Sequence, residues 1–233
     1  MHRAPAVIVL AALLAGCADV EGLKNEGNLG TVHAPQSLWK DIRPDPPEPD
    51  QKPGTASVVP GLPKVAGLSM RGVNALSVVR ADITSATEQD GGTGRLVDPR
   101  AVQRLALCTQ AVDGGPDCPV RPAVLHDLTG NGREELITAL DLDGRLSELR
   151  VYTVQDDGRV ARILSRRAVL EGVEVAAEHL AVREPTSNPA YVAVSDYVWD
   201  PKARTMNLTQ LTLDDCPSLT GVPLSPDAQR CTR

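Results

Sequence analysis

Residues 135–165 read ELITALDLDGRLSELRVYTVQDDGRVARILS. Three apolar runs, 135–142, 147–154 and 159–165, stand in this stretch, and Asp157-Gly158 separates the last two. Short runs rich in Val, Ile and Thr and bounded by Gly and Asp read as strands, and Asp-Gly between them marks a tight hairpin. The same texture continues through 173–184, 191–199 and 204–213, with Asp200-Pro201-Lys202-Ala203 as the last turn. From Ala123 onward the pattern therefore predicts an antiparallel β-meander of five or six strands. Aromatic residues make up 2% of the chain and Phe is absent, so the core must be built from Val, Leu, Ile and Ala.

Upstream the period changes. Leu76, Val79, Ile83 and Ala86 recur at steps of three and four, which predicts a helix over 74–88 ending before Asp90-Gly91-Gly92. A second helix starts at Asp98-Pro99, a capping residue followed by proline at the first helical position. It runs to about Cys108, with Val102, Leu105 and Ala106 inward. The fold class is α+β: two N-terminal helices, then a meander of the kind that forms a propeller blade. Residues 64–233, about 170 positions, suffice for one domain with its own core.

Before that domain the chain has no sustained periodicity and much proline, as in DIRPDPPEPDQKPG over 41–54. Such a segment cannot bury a core and stays extended. Residues 17–63 read as a disordered tether reaching about 40 Å as a flexible coil. Ser37–Ile42, SLWKDI, is its one apolar island, fit to dock on the domain or on a partner.

The first residues, MHRAPAVIVLAALLAGC, place Arg3 before an apolar run that is too short to span a bilayer. This is the layout of an export signal over residues 1–16. Leu14-Ala15-Gly16-Cys17 resembles the lipobox of bacterial lipoproteins. That resemblance implies cleavage before Cys17, its acylation (palmitate among the chains), and anchoring at the extracytoplasmic face of the cell membrane. An ordinary cleaved signal is the alternative. Only five lysines stand among 24 basic residues, and with the Ala, Val and Gly content this resembles an actinobacterial chain. Loss of Arg3 leaves 23 basic against 30 acidic residues, a net charge of −7. An acidic chain without a basic patch argues against nucleic acid as a ligand.

Beyond Cys17 four cysteines remain: Cys108, Cys118, Cys216 and Cys231. An even number in an exported chain reads as a disulfide framework. Three pairings are open, and the local ones, Cys108–Cys118 and Cys216–Cys231, are expected. Zinc is the rival, but neither pair has the close spacing of a structural zinc site.

Asp127-Leu128-Thr129-Gly130-Asn131-Gly132-Arg133-Glu134-Glu135-Leu136 precedes the first long strand. It resembles one FG-GAP or VCBS-type unit, whose loop binds calcium ahead of a strand. The resemblance implies side-chain donors from Asp127, Thr129, Asn131 and Glu135, with the Arg133 carbonyl as a further oxygen. Calcium requires six to eight oxygens, and affinity falls as charged ligands become fewer. Thr129 and Asn131 stand where stronger sites carry aspartate, so a site here would be weak and structural. The alternative is a bare Gly-Asn-Gly turn.

No nucleophile stands beside a base in any recognisable pattern. His126 and His179 are the only histidines in the domain, Ser195-Asp196-Tyr197 is not SDN, and Glu134, Glu135, Asp141 and Asp143 adjoin turns. The expectation is a non-enzymatic binding module in the cell envelope, contacting an envelope protein or a cell-wall ligand. A regulator of an envelope-stress sensor is the alternative. A carbohydrate binder or hydrolase would need Tyr152, Tyr191, Tyr197 and Trp199 clustered and exposed, or a pocket joining a histidine to carboxylates.

Overall fold

The computed structural model describes residues 36–37, 56–91, 98–109, 117–142, 144–188 and 190–215. In chain order these form β1 (Gln36–Ser37), β2 (Ser57–Val58), α1 (Ala75–Asp90), α2 (Pro99–Leu105), β3 (Val124–His126), β4 (Glu135–Asp141), β5 (Ser147–Val154), β6 (Val160–Ala168), β7 (Gly172–Ala176), β8 (His179–Pro185), β9 (Tyr191–Asp200) and β10 (Thr205–Asp215). The class is α+β, two helices ahead of antiparallel strands.

The meander is double. One sheet has the order β2-β6-β5-β4-β3 and the other β1-β7-β8-β9-β10, all antiparallel. Each therefore contains four strands in up-and-down order, the plan of a propeller blade. The expected single strand over 173–184 is a hairpin, β7 and β8, turning at Ala177-Glu178. No Gly, Asn or Pro marks that turn. Ala177 itself adopts a left-handed conformation, φ 49°, which an L-residue rarely takes.

Three layers follow from the period-two pattern. Leu136, Leu140, Tyr152, Val154 and Val160 lie under the helices with Val78, Val79, Ile83, Ala101 and Leu105. Ile137, Ala139, Leu149, Val151 and Ile163, on the opposite face, join Val173, Val175, Leu180, Val182, Tyr197 and Met206 of the second sheet. The middle sheet is covered on both faces, which is why β4 and β5 read as near-continuous apolar runs.

The helices are punctuated as their sequence requires. Asn74 caps α1 by accepting from the Ser77 amide, and Gly91 ends it at φ 60°. Asp98 caps α2 and accepts from the Arg100 amide. Cys108 and Cys118 form a disulfide with Cα atoms 4.5 Å apart. Cys17, Cys216 and Cys231 lie outside the described residues.

The domain starts earlier than residue 64. Ser57–Val58 pairs with β6, the Val59 amide donates to Val160 O at 2.9 Å, and Val59 is buried in the helix-side core. Gln36–Ser37 pairs with β7. Two short pieces of the expected tether are thus strands added to the sheet edges. Of the apolar island 37–42, only Ser37 is among the described residues.

Candidate functional site

α1 presents two working faces. Toward the middle sheet it sends Asp82, whose carboxylate accepts from the Arg150 guanidinium, from Tyr152 Oη at 2.9 Å and from Arg162 at 2.9 and 3.0 Å. Arg150 also donates to Glu148 at 2.8 Å, and Glu148 accepts from Ser165 Oγ at 2.7 Å. Asp82, Glu148 and Arg150 are all buried. Buried charges persist only when paired and hydrogen-bonded, and this network meets that need while fixing α1 on the sheet. Burial pushes the Tyr152 hydroxyl pKa up, outweighing the opposing charge of Arg150.

The other face of α1 looks across to α2. Arg80, Ile83, Thr84, Thr87, Glu88 and Gly91 share one side at helical spacing, and Val102, Leu105 and Ala106 of the α2 end face them. Between them runs a groove of about 530 Å³. Ile83 and Leu105 form its apolar floor, both buried, and Arg80 and Glu88 bring charge to its walls. Arg80 Nη2 donates to Cys108 O at 2.8 Å and to Leu105 O at 3.4 Å. The guanidinium thus satisfies carbonyls at the end of α2, a position that also suits the helix dipole. Its charge is held at the groove's end, beside the disulfide. Volume and lining match what small apolar ligands require, a mostly hydrophobic concavity with few polar groups.

Between β3 and β4, residues 127–135 form a closed turn. Asp127 accepts from the Asn131 amide at 3.2 Å and the Gly132 amide at 2.7 Å. Asn131 Oδ1 accepts from the Arg133 amide at 2.8 Å. Glu135 Oε2 accepts from the Leu128 and Thr129 amides at 2.8 and 3.3 Å, and Glu135 Oε1 from Thr153 Oγ1 at 2.8 Å. Thr129 Oγ1 lies between the two carboxylates, 3.5 Å from Asp127 Oδ1 and 3.4 Å from Glu135 Oε1. Gly130 and Gly132 sit at φ 67° and 76°, where side-chain-bearing residues are strained.

Of the expected donors, Asp127, Thr129 and Glu135 meet through the Thr129 hydroxyl, whereas Asn131 Oδ1 turns back to the Arg133 amide, and Glu135 is 1% exposed. Burial raises its pKa, with the charge of Asp127 adding to the effect against the hydrogen bonds from Thr153 and Leu128. All four oxygens of Asp127 and Glu135 already accept from the turn's own amides or hydroxyls. Among the described residues no three acidic, histidine or cysteine side chains are grouped as a metal would require. As arranged, the oxygens hold the turn.

A third carboxylate adjoins the turn. A Cβ placed on Gly130 would lie 2.4 Å from Glu178 Oε1, so the β7–β8 turn of the second sheet presses its carboxylate onto Gly130. His126 Nε2 donates to Ala177 O at 2.6 Å in the same turn. This contact has no signal in residue types, because the β7–β8 turn carries no turn residue.

His179 Nδ1 lies 2.7 Å from Asp196 Oδ2 on the second sheet. Neither histidine lines the groove. Of the four aromatics, Tyr152 and Tyr197 are buried, Trp199 packs against the core, and Tyr191 alone is exposed. They form no aromatic platform. No protein-family model matches this chain, and neither a characterised protein nor a solved structure resembles it significantly.

Proposed function

We propose that this chain is a lipid-anchored protein of the extracytoplasmic membrane face, whose domain works as a non-enzymatic binding module. The observation that carries the binding reading is the groove between α1 and α2, with its apolar floor of Ile83 and Leu105 and its charged walls of Arg80 and Glu88. Both its helices are held independently of any ligand, α1 by the Asp82 network and α2 by Arg80. A groove kept in shape in this way loses little entropy on binding. An apolar segment of an envelope protein is the ligand class its lining favours. The Leu14-Ala15-Gly16-Cys17 run supports the anchor.

Two measurements on the full-length chain test the two halves. Cys17→Ser should move the protein from the membrane to the soluble fraction; retention in the membrane would overturn the anchor. For the groove, anilinonaphthalene sulfonate serves as the apolar probe. Its fluorescence should rise with the native chain and lose most of that rise in Thr84→Trp, which fills the groove from an exposed position without changing the melt. Equal fluorescence in both, or none in either, would overturn the groove as the binding surface.

A further inference from the structure

β10 is the free edge of its sheet: among the described residues it pairs with β9 and no strand lies beyond it. It runs for eleven residues, TMNLTQLTLDD. Long edges are ordinarily blunted by Lys, Pro or inward-pointing charge. From Leu208 to Leu213 this one has none of these. Instead it exposes Leu208, Leu211 and Leu213, at 43%, 59% and 64%.

Register shows that these leucines share a face. Leu208 lies opposite Tyr197, Leu211 opposite Ser195 and Leu213 opposite Ala193. Tyr197 points into the core between the sheets, so the leucine stripe continues the core face past the cover of the first sheet. Tyr191, also exposed, extends it at the far corner. A register shift between Leu208 and Gln210 places a bulge at Thr209, so the regular part of the edge is 210–215.

That segment is complementary to itself. Antiparallel pairing of two copies about Thr212 sets Leu211 opposite the other copy's Leu213, and Leu213 opposite its Leu211. Thr212 then meets Thr212, and Asp214 meets Gln210. Two leucine pairs form on one face, and no like charges stand directly opposite. Asp214 is already neutralised by Arg183, at 2.9 Å.

We propose that β10 is a homodimer edge, pairing with β10 of a second copy about a two-fold axis at Thr212 to make one continuous sheet. The contact is isologous and closes at two copies. It is independent of the interhelical groove.

Cross-linking in the full-length chain tests both the dimer and its register. Opposed residues of an antiparallel pair have Cα atoms about 4.5–5.5 Å apart, within disulfide reach. Thr212→Cys should therefore form a covalent dimer on mild oxidation. Gln210→Cys should not, because its two copies would lie about 14 Å apart along the strand, beyond the roughly 7 Å limit. Leu211→Lys with Leu213→Lys should give a folded monomer by sedimentation, its melt no longer dependent on protein concentration, since both side chains are exposed within the single chain. A native chain that sediments as a monomer at high micromolar concentration would overturn the proposal. So would a dimer that both cysteine variants cross-link equally, or one that the double lysine variant leaves intact.

Discussion

Asp82 on α1 and Tyr152 on β5, 70 positions apart in the chain, share a buried hydrogen bond of 2.9 Å. Arg150 and Arg162 converge on the same carboxylate. Removing it leaves the buried Arg150 with Glu148 as its only carboxylate partner among the described residues, and takes a partner from Arg162 as well. Asp82→Ala should cost about 3–5 kcal/mol in chemical denaturation, as expected when one member of a buried pair is lost. Tyr152→Phe should cost only about 1 kcal/mol, one net hydrogen bond. Equal losses would mean that packing under α1, rather than charge pairing, holds the helix.

Glu135 sets a pH dependence of definite sign. Its pKa is raised in the folded chain above the ordinary value of 4.5, chiefly by burial. The folded state therefore binds its proton more readily than the unfolded state does. In the window between 4.5 and the raised value, stability from this group increases as pH falls. The native chain should gain stability relative to Glu135→Gln on acidification through that window. A flat difference between the two unfolding free energies would show that the buried carboxylate does not titrate there.

Asp127 closes its turn by accepting from two amides. Asp127→Ala should lower stability by about 1–2 kcal/mol, the loss typical of a capping acceptor. Melting midpoints of the native chain in millimolar calcium and in chelator should coincide. A calcium-dependent rise that Asp127→Ala lacks would show that the cation displaces the turn's hydrogen bonds.

Gly130 meets Glu178 across the two sheets. Gly130→Ala adds a Cβ at φ 67° that would lie 2.4 Å from Glu178 Oε1. The backbone conformation alone should cost about 1–2 kcal/mol for an L-residue, and the clash adds to it. Glu178→Ala in the same chain should recover the clash and leave the backbone part. A double variant no more stable than Gly130→Ala would place the whole cost in the backbone.

Loss of the Cys108–Cys118 disulfide should be felt through the unfolded chain. A crosslink spanning 10 positions contributes about 3 kcal/mol in the chain-entropy model. Cys108→Ala with Cys118→Ala should lower the melting midpoint while leaving the groove's fluorescence response in place. Loss of that response at temperatures where the domain is still folded would assign the crosslink to holding α2 as well.

Much of this architecture can be read from residue types. The strands announce themselves by Val, Ile and Thr between Asp-Gly turns, and both helices by the caps Asn74 and Asp98. What stays hidden is written in tertiary contacts. Glu148 and Arg150 alternate with apolar residues in β5 as an exposed face would, yet both are buried, pair with each other, and α1 supplies Asp82 as a second partner for Arg150. The β7–β8 turn is silent because Ala177 takes a conformation that local sequence does not favour. Turn 127–135 is legible as a turn from its Gly-Asn-Gly run. The use of its side-chain oxygens as acceptors for amides, and the approach of Glu178, depend on how the second sheet arrives.

The layering also grades the domain's motions. Amides of β4 and β5, hydrogen-bonded on both sides and covered above and below, can exchange with solvent only when the whole domain opens. Within a single chain those of β10 have one strand neighbour and exposed leucines beside them, and they open locally until a second copy covers the edge. Rigidity is thus greatest in the layer that neither the groove nor the free edge touches directly, and each can adjust to its partner without disturbing the other.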